Sequence, residues 1–186
     1  MSAEHPSVTP PEELRKGAIL VRPFRSGDVE PMLEAARESI AEVQPWLPWC
    51  HPDYARADAE RWVLSRPDAW ARWEELSFII ADADSGRFLG GCGLNQINWP
   101  YRTANLGYWV RTGGTRRGAA TAAAILVASY GFRGVGLQRI EILAAVENRA
   151  SQRVAEKVGA RRKGVLRSRR LMYDSVLYLL VPEDLD

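Results

Sequence analysis

The segment of residues 107–123, GYWVRTGGTRRGAATAA, carries the residue types best suited to hold an anion. A strand pattern ends near Arg111, a glycine-containing loop follows it, and a helix of small residues begins near Gly118. The first amides of a helix lack intrahelical acceptors and lie at the positive end of its dipole, so they favour a phosphate. Gly118 lets an anion approach the backbone closely, and Arg116 and Arg117 add positive charge. The pattern predicts a phosphate-binding loop, with a purely structural turn as the alternative.

A second polar segment lies at residues 146–160, VENRASQRVAEKVGA. Asn148 follows a predicted strand and stands at the N-cap of a predicted helix, and Ser151 lies in the first turn of that helix. A helix cap by itself accounts for Asn148. The occurrence of both segments in one chain, however, favours a ligand site to which both helix starts contribute.

Several familiar catalytic and binding motifs are missing from the sequence. It contains no HExxH motif, no GxSxG motif and only two histidines, His5 and His51. Cys50, His51 and Cys92 do not have the spacing of a zinc site, so no metal is predicted. The glycine loop is not a Walker A motif, because Ala119 stands where that motif requires lysine.

The hydrophobic pattern predicts the elements that must position these segments. Strands are predicted at 18–25, 76–81, 87–95, 103–111, 139–146, 162–166 and 171–180, and helices at 29–43, 55–64, 119–132 and 149–158. This order is typical of a mixed α/β domain. Residues 1–16 are polar and contain proline, so we expect a flexible N-terminal arm before a single domain at 17–186.

Composition limits the class of protein further. The chain has 186 residues, of which 46% are hydrophobic, and this suits one globular domain. Its longest apolar run, residues 122–128, is far shorter than the roughly 20 residues of a membrane span, so no membrane association is predicted. The N-terminus has no secretory signal pattern, and two cysteines make no disulfide framework. These features predict a cytoplasmic protein, and the predominance of arginine over lysine is typical of a GC-rich bacterial genome.

Taken together, the motifs resemble the GNAT superfamily of N-acetyltransferases, in particular the branch of the bacterial ribosomal-protein N-terminal acetyltransferases. The resemblance covers about residues 18–182 and is carried by WLPW at 46–49, GYWV, RRGAAT, RIEILAAVENRASQRVAEKVGA and GVLR. It implies the α/β GNAT fold, with helices on both faces of a mixed, mostly antiparallel sheet. It also implies that this sheet is splayed at its centre, between the strands at 103–111 and 139–146.

The resemblance further implies acetyl-CoA as co-substrate, with no metal. In the family, the glycine loop holds the pyrophosphate through backbone amides, the preceding strand follows the pantetheine arm, and the Asn148 equivalent hydrogen-bonds that arm. The residues expected to bind the cofactor are Trp109, Val110, Arg111, Arg116, Arg117, Gly118, Ala119, Ala120, Thr121, Asn148 and Ser151. Ser151, whose equivalent lies near the thiol, is also the catalytic candidate, as the proton donor to the departing sulfur.

Three positions depart from the family pattern. Thr115 and Arg116 replace the residues that usually open the loop, a change that contacts through backbone amides would tolerate. Asn105 stands where some members of the branch carry a glutamate that deprotonates the amine through water, and an amide cannot act as a base. Glu141 in the neighbouring strand, or water alone acting on a weakly basic amine, are the alternatives that this leaves open.

The sequence defines the site of the acetyl acceptor less sharply than the site of the cofactor. Trp46, Trp49 and Asn105 are expected to bind the substrate, with Trp99 and Tyr101 as further walls. Residues 1–101 hold 10 basic and 16 acidic groups, which suits a cationic acceptor, whereas residues 102–186 hold 15 basic and 7 acidic groups, which suits coenzyme A. The expected reaction is therefore acetylation of a primary amine, in particular a protein N-terminal α-amine such as that of a ribosomal protein.

Two other functions remain as alternatives to acetylation of a protein N-terminus. They are acetylation of a small-molecule amine and a non-catalytic acetyl-CoA-binding module, the second because of Asn105. The arginine-rich segment 161–170 could contact cofactor, ribosome or solvent, and its lack of interleaved aromatic residues argues against nucleic acid. The sequence does not define the oligomeric state, and a homodimer is one option.

Overall fold

The computed structural model describes residues 9–167 and 174–185, and its central feature is one mixed sheet. The described strands are β1 (Leu14–Lys16), β2 (Ile19–Pro23), β3 (Leu76–Asp82), β4 (Phe88–Asn98), β5 (Thr103–Val110), β6 (Arg139–Ala145), β7 (Arg161–Leu166) and β8 (Ser175–Leu180). The described α-helices are α1 (Val29–Glu38), α2 (Ile40–Val43), α3 (Arg56–Ala71), α4 (Ala119–Arg133) and α5 (Arg149–Val158). The strand order is β1-β2-β3-β4-β5-β6-β8-β7, and each neighbouring pair is antiparallel except β5 and β6.

The sheet divides at its centre, between the parallel strands β5 and β6. Their pairing covers only Thr103 to Asn105, opposite Arg139 to Glu141. Beyond Asn105, β5 continues along β4 as far as the pair formed by Gly90 and Val110, whereas β6 follows β8. The splayed sheet expected from the family resemblance is thus confirmed, and the split opens toward the carboxyl ends of both strands.

Separate hydrophobic clusters cover the two faces of the sheet, which confirms the expectation of helices on both. On one face the sheet residues Leu20, Ile79 and Ala81 pack with Met32 of α1 and Val63 of α3. On the other face Leu94, Leu106 and Ile140 pack with Val127 of α4 and Ala155 of α5. Because side chains alternate along a strand, Asn105, Gly107 and Trp109 of β5 face the helices α1–α3, while Leu106 and Tyr108 face α4 and α5.

The N-terminal boundary of the fold differs from the prediction. Leu14–Lys16, placed in the flexible arm by the sequence, form strand β1 and pair with β2 through a turn at Gly17, whose φ is +58°. The short strand carries no periodicity that the sequence could reveal, so the arm was predicted to extend too far.

Two helix boundaries also differ. The predicted helix at 29–43 is interrupted at Ser39, whose hydroxyl donates to the Ala35 carbonyl at 2.7 Å and accepts from the Thr112 amide at 3.0 Å. The predicted helix at 55–64 continues past Pro67 to Ala71. Ala69 and Trp70 of its last turn are buried, and the Trp70 indole donates to the Ser77 carbonyl at 3.0 Å. The predicted last strand is present from Ser175; residues 171–173, and residues 168–170 of the arginine-rich segment, lie outside the described part of the chain.

Candidate active site

The glycine loop predicted to bind phosphate lies between β5 and α4, at the open end of the split. Arg116 and Gly118 both adopt left-handed backbone conformations, with φ of +61° and +76°. Gly118 is the N-cap of α4, and its carbonyl accepts the amide of Ala122 at 2.9 Å. A Cβ at Gly118 would meet no atom within 4 Å, so the backbone there is open to an approaching group. Because α5 follows the carboxyl end of β6, its N-terminus lies at the same end of the split as that of α4, and both favour negative charge.

Arg111 anchors this loop to α1 through its side chain. Its guanidinium, only 3% exposed, donates through Nε to Glu38 at 2.9 Å, through Nη2 to Glu34 at 2.6 Å, and through Nη2 to Glu38 again. Its amide donates to the Leu89 carbonyl at 2.7 Å, and its carbonyl accepts the Gly114 amide at 2.9 Å. Both its side chain and its backbone have partners within the protein, so Arg111 holds the base of the loop in place, and its binding of the cofactor stays a prediction.

Glu38 connects α1 directly to the start of the loop. Its second carboxylate oxygen accepts the Gly113 amide at 2.6 Å. The hydrogen bonds from Arg111 lower the pKa of Glu38, so the carboxylate is charged at neutral pH. Sequence reasoning missed this contact, because Glu38 lies 73 residues from Arg111 and no local pattern connects them.

Asn148 and Ser151 occupy the N-terminus of α5, as predicted. Asn148 caps the helix, since its Oδ1 accepts the Ser151 amide at 3.0 Å. Tyr108 of β5 joins them: its hydroxyl donates to the Ser151 carbonyl at 2.9 Å and lies 3.2 Å from the Ser151 hydroxyl. Burial raises the pKa of Tyr108, so the phenol stays protonated. Tyr108 belongs to the GYWV motif, but no local pattern in the sequence indicates this contact.

The side chains of Trp109 and Val110 lie on opposite faces of β5, and neither extends along the cofactor cleft. The Trp109 ring packs edge-on against Trp49, with centroids 5.1 Å apart, and its indole nitrogen would lie 2.8 Å from a Cβ at Gly91. Val110 packs against the cluster beneath α4. Cofactor binding by these two residues stays a prediction, and the packing of their side chains leaves the backbone available for it.

A cavity of about 660 Å³ opens on the face of the sheet covered by α1–α3. Its floor includes three glycines, Gly91 and Gly93 of β4 and Gly107 of β5. The aromatic residues that line it on this face include Phe24, Trp49, Tyr54, Trp62 and Trp109, with Met32 and Leu47. The size is typical of a small-ligand or peptide-terminus site. We refer to this space as the acceptor pocket.

Only part of the predicted acceptor wall lines this pocket. Trp49 does, whereas Trp46 is absent from the lining and its amide donates to Val43 at 3.0 Å. The Trp99 ring packs against Trp73 with centroids 5.5 Å apart, and Tyr101 is 74% exposed. The loop that carries Trp46 and the β4–β5 turn that carries Trp99 and Tyr101 place these rings outside the pocket, and their contact with an acceptor stays a prediction.

Asn105 lies at the inner end of the split, between Asn95 of β4 and Glu141 of β6. Its Nδ2 donates to Asn95 Oδ1 at 3.0 Å, and its own Oδ1 is buried without a partner among the described residues. Glu141 stands opposite Asn105 in the β5–β6 register and has Arg139 as its ion-pair partner at 3.4 Å.

Three titratable residues that the sequence reasoning did not propose also line the acceptor pocket. Glu75 accepts from Arg66 at 2.8 Å and from the Ser77 hydroxyl at 2.8 Å. Asp58 caps α3 by accepting the Ala55 amide at 2.9 Å, and His51 lies 3.9 Å from it. Both carboxylates have hydrogen-bond partners within the fold.

Within 9–167 and 174–185, no three histidine, cysteine, aspartate or glutamate side chains are grouped in a way that could hold a metal ion. In the same part of the chain, every helix is too short or too polar to cross a membrane.

Comparison with known proteins identifies the family. Residues 18–161 match the family model described as acetyltransferase (GNAT) domain. The chain is 30% identical over 156 residues to "Probable N-acetyltransferase YjcK" of Bacillus subtilis (strain 168), covering 83% of this chain and 86% of that protein. It is 27% identical over 171 residues to "Putative ribosomal N-acetyltransferase YdaF" of the same organism, covering 89% and 92%.

A solved structure, Mycobacterium smegmatis RimJ in complex with CoA-disulfide, superposes with a TM-score of 0.82 at 26% identity. It covers 92% of this chain and 87% of that one. The chain belongs to the GNAT acetyltransferase family and is an N-acetyltransferase.

Proposed function

We propose that this enzyme transfers the acetyl group of acetyl-CoA to the α-amine at the N-terminus of a polypeptide. The observation that carries the proposal is the meeting of two sites at the centre of the sheet. The split with the N-termini of α4 and α5 lies on one side of β5, and the acceptor pocket lies over Gly107 on the other. The name of YdaF, a putative ribosomal N-acetyltransferase, supports a ribosomal protein as the acceptor.

The residues around the split fit the chemistry of coenzyme A. The open backbone at Gly118, the first amides of α4 (Ala119, Ala120 and Thr121) and the guanidinium groups of Arg116 and Arg117 together suit a pyrophosphate. The edge of β5 beyond Asn105, which β6 does not pair, is available to the amides of a pantetheine arm. When bound, acetyl-CoA supplies a thioester whose sulfur is the leaving group.

The residues near the reacting atoms have separate roles. The backbone of β5 around Trp109 and Val110 provides hydrogen-bond donors for the carbonyl oxygen as it gains negative charge. Ser151, held by Tyr108, provides a hydroxyl for the departing sulfur. Asn105 lies outside the lining of the acceptor pocket with its Oδ1 buried, and as an amide it cannot accept the proton of the amine.

The missing carboxylate at position 105 favours an α-amine over a lysine side chain. An α-amine with a pKa of about 7.7–8.0 is partly neutral near physiological pH, whereas a lysine amine of about 10.4 is almost wholly protonated. An enzyme without a strong base at this position therefore gains most from the less basic acceptor.

The test is an acceptor screen with purified protein, acetyl-CoA, a thiol-release readout and mass spectrometry of the products. We expect a peptide with a free α-amine to be acetylated there, and the same peptide with a blocked N-terminus and an internal lysine to remain unmodified. Turnover of small amines alone would replace the proposal with a small-molecule acetyltransferase. Calorimetric binding of acetyl-CoA without turnover of any amine would indicate a non-catalytic module.

A further inference from the structure

The floor of the acceptor pocket has glycines on two adjacent strands, β4 and β5, beside Ser77 of β3. In the sheet register, Ser77 of β3 stands opposite Gly93 of β4, and Gly93 stands opposite Gly107 of β5. We propose that Gly107 determines acceptor specificity, and that the first residue of the acceptor carries a large apolar side chain, such as leucine, methionine or phenylalanine, that lies over this floor. The inference rests on the proposed function, because it concerns the amine that enters this pocket.

The glycines of the floor differ in what the fold requires of them. A Cβ at Gly93 would lie 2.9 Å from the Leu76 carbonyl oxygen, and one at Gly91 would lie 2.8 Å from the Trp109 indole nitrogen. A Cβ at Gly107 would meet only the Asn95 amide nitrogen, at an ordinary contact distance of 3.6 Å, and the backbone there is not left-handed. Packing therefore requires glycine at 91 and 93 but not at 107, where its effect is to leave space.

The chemistry of the lining favours an apolar occupant of that space. Trp49, Trp109 and Met32 surround the pocket with apolar surface. The two carboxylates in the lining already have guanidinium partners: Glu75 is 2.8 Å from Arg66, and Asp58 is 3.3 Å from Arg61. A cationic side chain would thus compete with existing ion pairs, whereas an apolar one gains from leaving water.

The volume of the pocket points in the same direction. At about 660 Å³, it is far larger than a reacting amine and acetyl group need. An acceptor that begins with glycine, alanine or serine leaves most of this apolar space to water. A leucine- or phenylalanine-sized group fills it and contributes its burial to binding at the reacting centre.

The experiment compares peptides that differ only in their first residue, which is alanine, serine, leucine, methionine or phenylalanine. Wild-type enzyme is expected to show kcat/KM about tenfold or more higher for the large apolar residues than for alanine. Gly107→Ala raises the floor and should reduce this preference at least severalfold, with the affinity for acetyl-CoA unchanged by calorimetry. Gly164→Ala, in strand β7 with nothing within 4 Å of the new Cβ, is the matched control and should retain the wild-type preference.

Each outcome separates this inference from the proposed function. Acetylation of peptide α-amines with no preference for large apolar residues, or an equal loss for all peptides in Gly107→Ala, would overturn the inference and leave the proposed function standing. If no peptide is acetylated, the proposed function fails. The apolar pocket is then tested with small amines, by comparing kcat/KM for 2-phenylethylamine with kcat/KM for ethylamine. A preference for 2-phenylethylamine that Gly107→Ala removes would uphold the apolar pocket. If there is no such preference, both the proposed function and this inference are overturned.

Discussion

The Tyr108 hydroxyl donates to the Ser151 carbonyl oxygen at 2.9 Å and lies 3.2 Å from the Ser151 hydroxyl. This contact joins β5 to the first turn of α5, the two elements on either side of the split. Because burial raises the pKa of Tyr108, the phenol keeps its proton and holds the Ser151 side chain in one place. Tyr108 is thus a positioning residue for the proposed proton donor.

Replacement of Ser151 by alanine should lower kcat more than it weakens acetyl-CoA binding. We expect a loss of about tenfold, because a thiol with a pKa of about 8.5 leaves without much assistance. Tyr108→Phe should lower kcat by a similar or smaller factor, and Asn148→Ala should mainly raise the Kd for acetyl-CoA. Steady-state kinetics combined with calorimetry distinguish the three variants. The opposite pattern, with Ser151→Ala affecting only binding, would reduce Ser151 to a residue of the helix turn.

Substitution of Gly118 by aspartate should abolish acetyl-CoA binding. The new carboxylate would stand at the open N-terminus of α4, where it repels the pyrophosphate and occupies its space. Calorimetry should show a loss of affinity of about 100-fold or more. Gly136→Asp is the matched control, since Gly136 is also left-handed, with φ of +80°, and has open space for a Cβ. Equal affinity in both variants would show that the loop is only a structural turn.

The charge of Glu38 should matter for cofactor affinity although Glu38 lies outside the cleft. Glu38→Gln weakens the bonds that hold Arg111 and Gly113, so we expect a Kd for acetyl-CoA about tenfold higher and a loss of about 1–3 kcal/mol in the free energy of unfolding. Glu34→Gln, at an exposed partner of the same arginine, should have a smaller effect. Identical behaviour of the two variants in calorimetry would contradict a special role for Glu38.

The pH dependence of this contact follows from the lowered pKa of Glu38, which the hydrogen bond from Arg111 causes. A carboxylate whose pKa is lower in the folded state stabilises fully above its unfolded value of about 4.3, and this stabilisation is lost as pH falls through the folded value. The difference in unfolding free energy between wild type and Glu38→Gln should therefore be constant near neutral pH and shrink only in acid. Denaturant titrations at a series of pH values measure it.

The contrast between Gly118 and Arg111 shows what the sequence could reveal. The loop at Gly118 and the cap at Asn148 have local signals, because a strand, a glycine and a helix start follow one another along the chain. The role of Arg111 depends on Glu38, 73 residues away, and the walls at Tyr54 and Trp62 depend on how α3 packs over the sheet. Such contacts leave no periodic pattern, so the sequence defines the loop and the helix cap but does not define the walls of the pocket.

The last prediction concerns Asn105 and the pH dependence of turnover. A carboxylate base within reach of the amine typically contributes about 10²–10⁴-fold, and Asn105 cannot supply one. With wild-type enzyme, kcat/KM for an α-amine peptide should rise with pH until the acceptor itself has titrated, at about pH 7.7–8.0. For a lysine acceptor, kcat/KM should still be rising at about pH 8.0, because its amine remains mostly protonated there.

Asn105→Glu should increase kcat/KM near neutral pH, because the new carboxylate can take the proton directly or through one water. The dependence of kcat/KM on pH should therefore be weaker than in the wild-type enzyme. The neighbouring Asn95 amide can turn to donate to it, as it now accepts from Asn105 at 3.0 Å. Glu141→Gln is the accompanying variant and should leave the pH profile unchanged, since the Glu141 carboxylate already pairs with Arg139. If Asn105→Glu has no effect while Glu141→Gln abolishes turnover with acetyl-CoA affinity intact, the base is Glu141 and the preference for α-amines needs another cause.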